Sequence, residues 1–142
     1  MSYLPTGYLL DTNVLSEGRK PRGNAGVKAW FASVEGDELY VSVLVIGEIR
    51  QGIDHLKPRD PRQAKVYETW LETLKRDYRE RILPITAAIG EVWGSLNAPT
   101  PLPVIDGLLA ATAQVHGLTL VTRNVADLDR SGVSVLNPFD RA

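Results

Sequence analysis

Tyr8-Leu9-Leu10-Asp11-Thr12-Asn13 is an apolar run that stops abruptly at a carboxylate and continues with two small polar residues. The apolar pattern returns immediately afterwards at Val14 and Leu15. A buried parallel strand has this pattern when it ends at the carboxyl edge of a sheet, and open α/β sheets bind their ligands at that edge. The stretch therefore predicts a first strand over residues 7–11 and makes Asp11 the first candidate for a functional site.

Strands and helices are predicted to alternate along the rest of the chain. Short apolar stretches predict four further strands, at 39–41, 82–85, 118–122 and 133–136. Helical spacing and capping residues predict a short turn at 13–17, a helix at 25–34, and helices that begin after Ser42, Asp60, Thr86 and the proline-rich connector 97–103. This alternation indicates an α/β fold with a parallel sheet.

The composition is that of an ordinary globular protein. The 142 residues are 44% hydrophobic and 23% charged, which suits one domain over residues 1–142. The absence of cysteine excludes disulfides, thiolate metal sites and cysteine nucleophiles. The sequence contains no apolar run of membrane-spanning length and no signal-peptide pattern, so we expect a cytoplasmic protein without a membrane partner. The net charge of −1 gives no overall basic surface for nucleic acid, although acidic catalytic groups offset local basic patches.

Acidic or amide side chains occur at four places where packing alone does not require them. Asp11 ends an apolar strand, and Glu48 lies on an otherwise apolar helix. Asp106 falls in the first turn of the helix that follows the proline-rich connector. Asn124 and Asp127 follow the fourth predicted strand. These five residues are the candidate catalytic residues.

Each of them, taken alone, also has a purely structural explanation. Asp11 can be a turn residue at a strand end, and Glu48 can be a solvated residue paired with a neighbouring cation. Asp106 can be favoured by the helix dipole alone, which stabilises an acid in the first turn by a few tenths of a kcal/mol up to about 1 kcal/mol. Asn124 and Asp127 are common turn formers.

A shared explanation is needed if the sheet brings these acids to one edge. Two unpaired carboxylates about 5 Å apart repel by about 3 kcal/mol at an effective dielectric near 20. A countercharge must therefore stabilise the cluster. Cysteine is absent and His55 and His116 are the only histidines, so the suitable ion is one that prefers oxygen ligands, Mg²⁺ or Mn²⁺.

Four segments in this order resemble a PIN-domain nuclease, most closely the VapC or FitB-like toxins of bacterial toxin–antitoxin pairs. They span most of the chain and are Leu9–Leu15, Val41–Ile49, Ile105–Ala113 and Leu120–Leu128. Each segment alone is weak evidence, whereas all four in order are strong evidence. The resemblance implies a three-layer α/β/α fold around a central, mainly parallel sheet of four to five strands.

The resemblance also implies a Mg²⁺-dependent endoribonuclease. Asp11, Glu48 and Asp106 match the three core acids of the family. We expect Asp11 and Asp106 to bind the metal directly, and Glu48 to orient the attacking water or complete a second metal position. Thr12 and Asn13 are expected to fix Asp11 by hydrogen bonds.

The fourth metal ligand is left open by the sequence. Thr122 and Asn124 match polar positions after the fourth strand, and Asp127 matches a position that is sometimes acidic. Where many relatives carry an aspartate, this chain has Asn124, which brings a carbonyl oxygen and no charge. Asp127 is the alternative source of that charge.

Substrate and partners also follow from the resemblance. It implies cleavage of a transfer RNA or ribosomal RNA loop, a homodimer, and inhibition by a VapB-like DNA-binding antitoxin. The candidate RNA contacts are Arg19, Lys20, Arg22 and Arg50. A solvated surface turn explains the Arg-Lys-Pro-Arg loop equally well.

Two other interpretations remain open at this point. A phosphatase of the haloacid-dehalogenase type also uses an aspartate after its first strand, but it needs a second aspartate where this chain has Asn13. A catalytically inactive PIN scaffold would bind RNA or an antitoxin without cleaving RNA. Retention of all three core acids argues against such a scaffold. Titration with Mn²⁺ distinguishes an active nuclease from a scaffold, because a scaffold need not bind the ion.

Overall fold

The computed structural model describes residues 7–139, which form a five-stranded sheet with helices packed around it. The strand order is β3-β2-β1-β4-β5, and all four neighbouring pairs are parallel. The strands are β1 Tyr8–Leu10, β2 Leu39–Ser42, β3 Ile82–Leu83, β4 Thr119–Val121 and β5 Val135–Leu136. The α/β prediction with a central parallel sheet is confirmed.

Seven α-helices flank the sheet over residues 7–139. They are α1 Thr12–Arg19, α2 Ala25–Ser33, α3 Val43–Leu56, α4 Pro61–Asp77, α5 Ala87–Asn97, α6 Val104–His116 and α7 Val125–Leu128. The most extensive helix pairings are α5 with α6 and α3 with α4. None of the helices in this part of the chain has the length and apolar character needed to cross a membrane.

Capping residues set the starts of three helices where the sequence predicted them. The Ser42 hydroxyl accepts a hydrogen bond from the Leu44 amide, and the Thr86 hydroxyl accepts one from the Ile89 amide. The Asp60 carboxylate caps α4, whose first residue is a proline. These side chains satisfy backbone amides that have no partner within the helix.

The structure differs from the sequence prediction mainly at strand ends and after β4. Strands β1, β3, β4 and β5 are each shorter than predicted. Strand β3 ends directly before Pro84, which has no amide hydrogen to donate to a sheet. No helix was predicted after β4, where the structure forms the short helix α7.

Strand β1 is the central strand, with β2 on one side and β4 on the other. Leu9 and Leu10 on it are fully buried. The Asp11 amide continues the pairing by donating to the Val121 carbonyl at 3.0 Å. The first candidate acid therefore lies at the middle of the carboxyl edge, where α1, α3, α6 and the segment after β4 begin.

Candidate active site

Asp11 is held at the sheet edge by a threonine from the neighbouring strand end. Its carboxylate oxygen Oδ2 accepts a hydrogen bond of 2.7 Å from the Thr122 hydroxyl. Thr122 is buried, with 1% of its surface exposed, whereas Asp11 is half-buried. The buried hydroxyl fixes one oxygen of Asp11 and leaves the carboxylate in contact with solvent.

Asp106 is joined to this pair through Asn124. The Asn124 side-chain amide donates to Asp106 Oδ2 at 2.8 Å. The Asn124 backbone amide donates to the Thr122 hydroxyl at 3.2 Å. A continuous hydrogen-bonded chain thus runs from Asp11 through Thr122 and Asn124 to Asp106, and it joins β1, the end of β4 and α6.

The electrostatic environment of Asp106 disfavours its charge. Burial raises the pKa of the Asp106 carboxyl above its ordinary value of 3.8, and the negative charges of Asp11 and Asp127 raise this pKa further. The hydrogen bond from Asn124 acts in the opposite direction and does not cancel these effects. Asp127 is exposed and acts on Asp106 only through its charge.

Glu48 is connected to the same edge through Thr12. The Thr12 hydroxyl donates to Glu48 Oε1 at 2.6 Å, a short bond of the kind expected between a hydroxyl and an ionised carboxylate. Thr12 directly follows Asp11 and is the first residue of α1, which contacts α3. All three core acids therefore belong to one hydrogen-bonded and sequence-contiguous assembly.

The donor atoms of this assembly suit one kind of metal ion. Between residues 7 and 139, no three acidic or histidine side chains lie close enough together to hold an ion on their own. The groups at the edge are all carboxylate, amide and hydroxyl oxygens, and two of the carboxylates repel each other. Such a set fits a hydrated Mg²⁺, which keeps several waters and takes one or two carboxylates from the protein.

Two of the predicted supporting contacts differ from the sequence expectation. Thr12 and Asn13 were expected to fix Asp11. In the structure Thr12 holds Glu48, because it begins α1 next to α3, and the contact to Asp11 is made by Thr122. Asn13 is exposed and makes no hydrogen bond to Asp11 within the described part of the chain.

The candidate RNA-binding cations have different surroundings. The Arg19 guanidinium lies over the rings of Tyr67 and Trp70, 4.7 and 5.2 Å from their centroids. Arg50 donates through both terminal nitrogens to Glu68, at 2.7 and 2.5 Å, and so joins α3 to α4. This ion pair gives Arg50 a structural role, and its role as an RNA contact stays a prediction.

Two cations remain at the end of α1. Lys20 forms an exposed ion pair with Glu17 at 3.1 Å, and Arg22 is exposed. Both are exposed to solvent.

A cleft beside Glu48 was not foreseen from the sequence. It has a volume of about 230 Å³ and lies mainly between α3 and α4, with α1 at one end. Its lining residues are Thr12, Ser16, Glu48, Ile49, Gly52, Ile53, Leu56, Tyr67 and Trp70. The helical spacing of Ile49, Ile53 and Leu56 was visible in the sequence, but it predicted core packing and not a wall of a cleft.

A five-stranded parallel sheet flanked by helices, with Asp11 and Asp106 linked through Thr122 and Asn124 at its central carboxyl edge, belongs to the PIN-like α/β/α fold class. The family model for the PIN domain matches residues 8–131, and the chain belongs to this family.

Relatives along nearly the full length carry toxin and ribonuclease names. Toxin FitB of Neisseria gonorrhoeae is 29% identical, with 92% of this chain and 97% of the relative covered. VapC ribonuclease Y4jK of Sinorhizobium fredii is 31% identical, with coverage of 94% and 99%.

Solved structures support the same assignment. The chain matches the crystal structure of FitAcB from Neisseria gonorrhoeae with a TM-score of 0.85 and 31% identity, covering 92% of this chain and 97% of that one. It matches the structure of FitAB bound to a DNA fragment with a TM-score of 0.86 and 28% identity, covering 95% and 97%.

Proposed function

We propose that this protein is a Mg²⁺-dependent endoribonuclease and the toxin of a toxin–antitoxin pair. The observation that carries the proposal is the hydrogen-bonded chain from Asp11 to Asp106, whose two carboxylates repel each other at the edge of a PIN-domain sheet. Full-length relatives named as a toxin and as a VapC ribonuclease support it.

Asp11 and Asp106 would hold the ion, because their two negative charges repel each other. Among the described residues, no cation of the protein forms an ion pair with either one. A bound Mg²⁺ supplies positive charge to the scissile phosphate and lowers the pKa of an attacking water. Mn²⁺ would substitute because it accepts the same oxygen ligands.

The residues around the acids would keep them in place during the reaction. Thr122 fixes one oxygen of Asp11, and Asn124 fixes one oxygen of Asp106. Glu48, held by Thr12, orients the water that attacks the phosphorus. Because the Asn124 side-chain nitrogen donates to Asp106, we assign to Asn124 the positioning of Asp106. We assign to Asp127 an electrostatic effect on Asp106.

The proposed reaction is in-line hydrolysis of an RNA phosphodiester. The water oxygen bonds to phosphorus and gives up a proton to solvent. The bond between phosphorus and the 3′ oxygen breaks, and that oxygen takes up a proton from solvent, so that the products carry a 5′-phosphate and a 3′-hydroxyl. Arg19, Lys20 and Arg22 lie at or just after the end of α1, and they would attract the RNA backbone of a transfer RNA or ribosomal RNA loop.

The partners proposed for this chain follow those of its relatives. The structural neighbours include a toxin–antitoxin complex and the FitAB structure bound to a DNA fragment. These neighbours support a VapB-like DNA-binding antitoxin as the inhibitor. A homodimer as the active form and the cytoplasm as the place of action are proposed from the family resemblance alone.

The test is digestion of total RNA by the purified protein with Mg²⁺ or Mn²⁺, followed by sequencing of the cut ends. We expect cleavage that EDTA abolishes, with 5′-phosphate ends. Asp11→Asn serves as the matched inactive control. RNA that stays intact with both metals would contradict the proposal.

An inactive scaffold is the second candidate, because no three ligand side chains converge within residues 7–139. Calorimetric titration with Mn²⁺ distinguishes the two. A nuclease binds the ion in a manner that depends on Asp11, whereas a scaffold shows no such dependence.

A further inference from the structure

The cleft beside Glu48 combines an apolar aromatic wall with a polar end. Ile49, Ile53 and Leu56 from α3 face Tyr67 and Trp70 from α4. Thr12, Ser16 and Glu48 supply hydroxyl and carboxylate oxygens to the cleft. The rings of Tyr67 and Trp70 meet edge to face, with centroids 6.3 Å apart.

We propose that this cleft binds a single nucleobase of the RNA next to the cleaved phosphate. The proposal rests on the proposed nuclease function, and it assigns a base-binding subsite to it. The volume of about 230 Å³ is below the range of about 300–1,000 Å³ typical of pockets for drug-sized ligands, which suits one planar ring system. Aromatic side chains bind bases of any sequence by stacking, and a base in this cleft would contact the parts of Tyr67 and Trp70 that Arg19 does not cover.

The polar end of the cleft selects among bases. Glu48 and the Ser16 hydroxyl offer acceptors, and the Ser16 hydroxyl makes no hydrogen bond to another described residue. Acceptors of this kind recognise exocyclic amino groups, as a glutamate does with cytosine. The cleft therefore favours cytosine, adenine or guanine over uracil.

Charge and position favour RNA over a protein side chain as the occupant. Arg19 is not in the cleft wall, but its guanidinium lies over Tyr67 and Trp70 and places a positive charge beside the cleft. Glu48 is shared between the cleft and the acidic site. A base in the cleft thus has a cation for its phosphate on one side and the proposed reaction centre on the other.

Gly52 provides a substitution that fills the cleft without disturbing the core. It lines the cleft, and a Cβ added there meets no atom within 4 Å. Gly52→Leu extends a side chain into the cleft and also favours helix α3. Gly47→Leu is the matched control, because Gly47 is in the same helix, is exposed and also has open space around its Cβ.

Binding is measured with each glycine variant combined with Asp11→Asn, so that the RNA stays intact. The probes are a fluorescent mixed-sequence oligoribonucleotide and an abasic oligomer of the same length. We expect the bases to strengthen binding about tenfold in the Asp11→Asn protein and in its Gly47→Leu derivative. Gly52→Leu should remove about this tenfold advantage while leaving abasic binding unchanged.

Cleavage by proteins that retain Asp11 gives the second measurement. Sequenced cut ends should show a base preference beside the cut that Gly52→Leu weakens and Gly47→Leu preserves. Unchanged binding and unchanged cut sites in folded Gly52→Leu would overturn the proposal and leave the cleft to a protein side chain. Absence of cleavage by the wild type would refute the nuclease function and not the base subsite. The binding experiment tests the base subsite independently of cleavage.

Discussion

The negative charge of Asp106 lowers the stability of the fold, whereas the proposed metal binding needs that charge. Its carboxylate is half-buried, receives a hydrogen bond from Asn124, and is repelled by Asp11 and Asp127. A carboxyl group with a pKa raised in the folded protein stabilises the fold most when it is protonated. That stability is lost as the pH rises from the ordinary value of 3.8 through the raised pKa.

Asp106→Asn should therefore stabilise the metal-free protein at neutral pH. The asparagine removes the repelled charge, and its carbonyl oxygen still accepts the bond from Asn124. We expect a higher Tm at pH 7 than in the wild type, with the difference vanishing below the ordinary pKa of aspartate, and loss of ribonuclease activity by about 100-fold or more. Thermal unfolding in EDTA across pH values and RNA digestion in Mg²⁺ are the measurements. A variant that is less stable at pH 7 would show that the charge is already compensated.

Thr12 controls the orientation of Glu48 by its hydroxyl. Thr12→Val keeps the shape of the side chain and removes the 2.6 Å hydrogen bond, so we expect about a 10- to 100-fold lower kcat with little change in Tm. Thr12→Ser retains the hydroxyl and should keep most of the activity. Equal loss in both variants would assign Thr12 to packing and not to the positioning of Glu48.

At the level of the elements, the connector between α5 and α6 sets where α6 begins, and Asp106 lies in the first turn of that helix. The Asn97 side chain donates to the Trp93 carbonyl and accepts from the Leu102 amide, both at 2.8 Å. These two bonds close the proline-rich segment that the sequence predicted as a rigid connector. Gly107, next to Asp106, is packed against Trp93 and Asn97, where an added Cβ would lie 3.2–3.3 Å from their side chains.

Asn97→Ala should loosen this connector. Loss of two half-buried hydrogen bonds is expected to cost about 1–3 kcal/mol of unfolding free energy. Urea unfolding monitored by circular dichroism gives the value, and Thr100→Ala in the same exposed segment is the control. A change below the error of the control would mean that the prolines alone hold the connector.

The sequence predicted those elements whose signals are local. Ser42, Asp60 and Thr86 cap helices at the predicted residues because each makes its contact within two or three residues. Helix α7 was missed because its four residues lie between common turn formers, and short helices depend on tertiary contacts. Strand ends were overestimated for a similar reason, since sheet pairing and not hydrophobicity decides where a strand stops.

The site was only partly predictable for the same physical reason. Residue type and position at a strand end or helix start selected Asp11, Glu48 and Asp106 as candidates. The partner of each hydroxyl was not predictable, because Thr12 and Thr122 make contacts with residues far away in the chain. The hydrogen bonds from Arg50 to Glu68 also depend on how α3 packs on α4. The spacing of apolar residues along the sequence does not predict that packing.

At the scale of the whole molecule, the sheet order explains why the acids meet. Strand β1 is central and β4 is its neighbour, so Asp11 and the Thr122–Asn124 segment leave the sheet side by side. Helix α6 contacts β1, β4 and α7, which brings Asp106 to the same edge. The fold thus concentrates negative charge at one edge although the net charge is only −1.

A divalent ion should consequently stabilise the whole fold and not only the site. An ion that binds the native state alone adds about 2.7 kcal/mol to the unfolding free energy at a concentration 100 times its Kd. We expect Mg²⁺ and Mn²⁺ to raise the Tm of the wild type and to leave that of Asp106→Asn unchanged. Asp37→Asn, which removes an exposed acid in the turn Gly36–Glu38, is the control and should respond to the ions as the wild type does. An equal rise of Tm in all three proteins would mean that the ions act by general screening of charge. An ion bound at the site must lose its effect on Tm when the charge of a ligand is removed, whereas a screening ion need not.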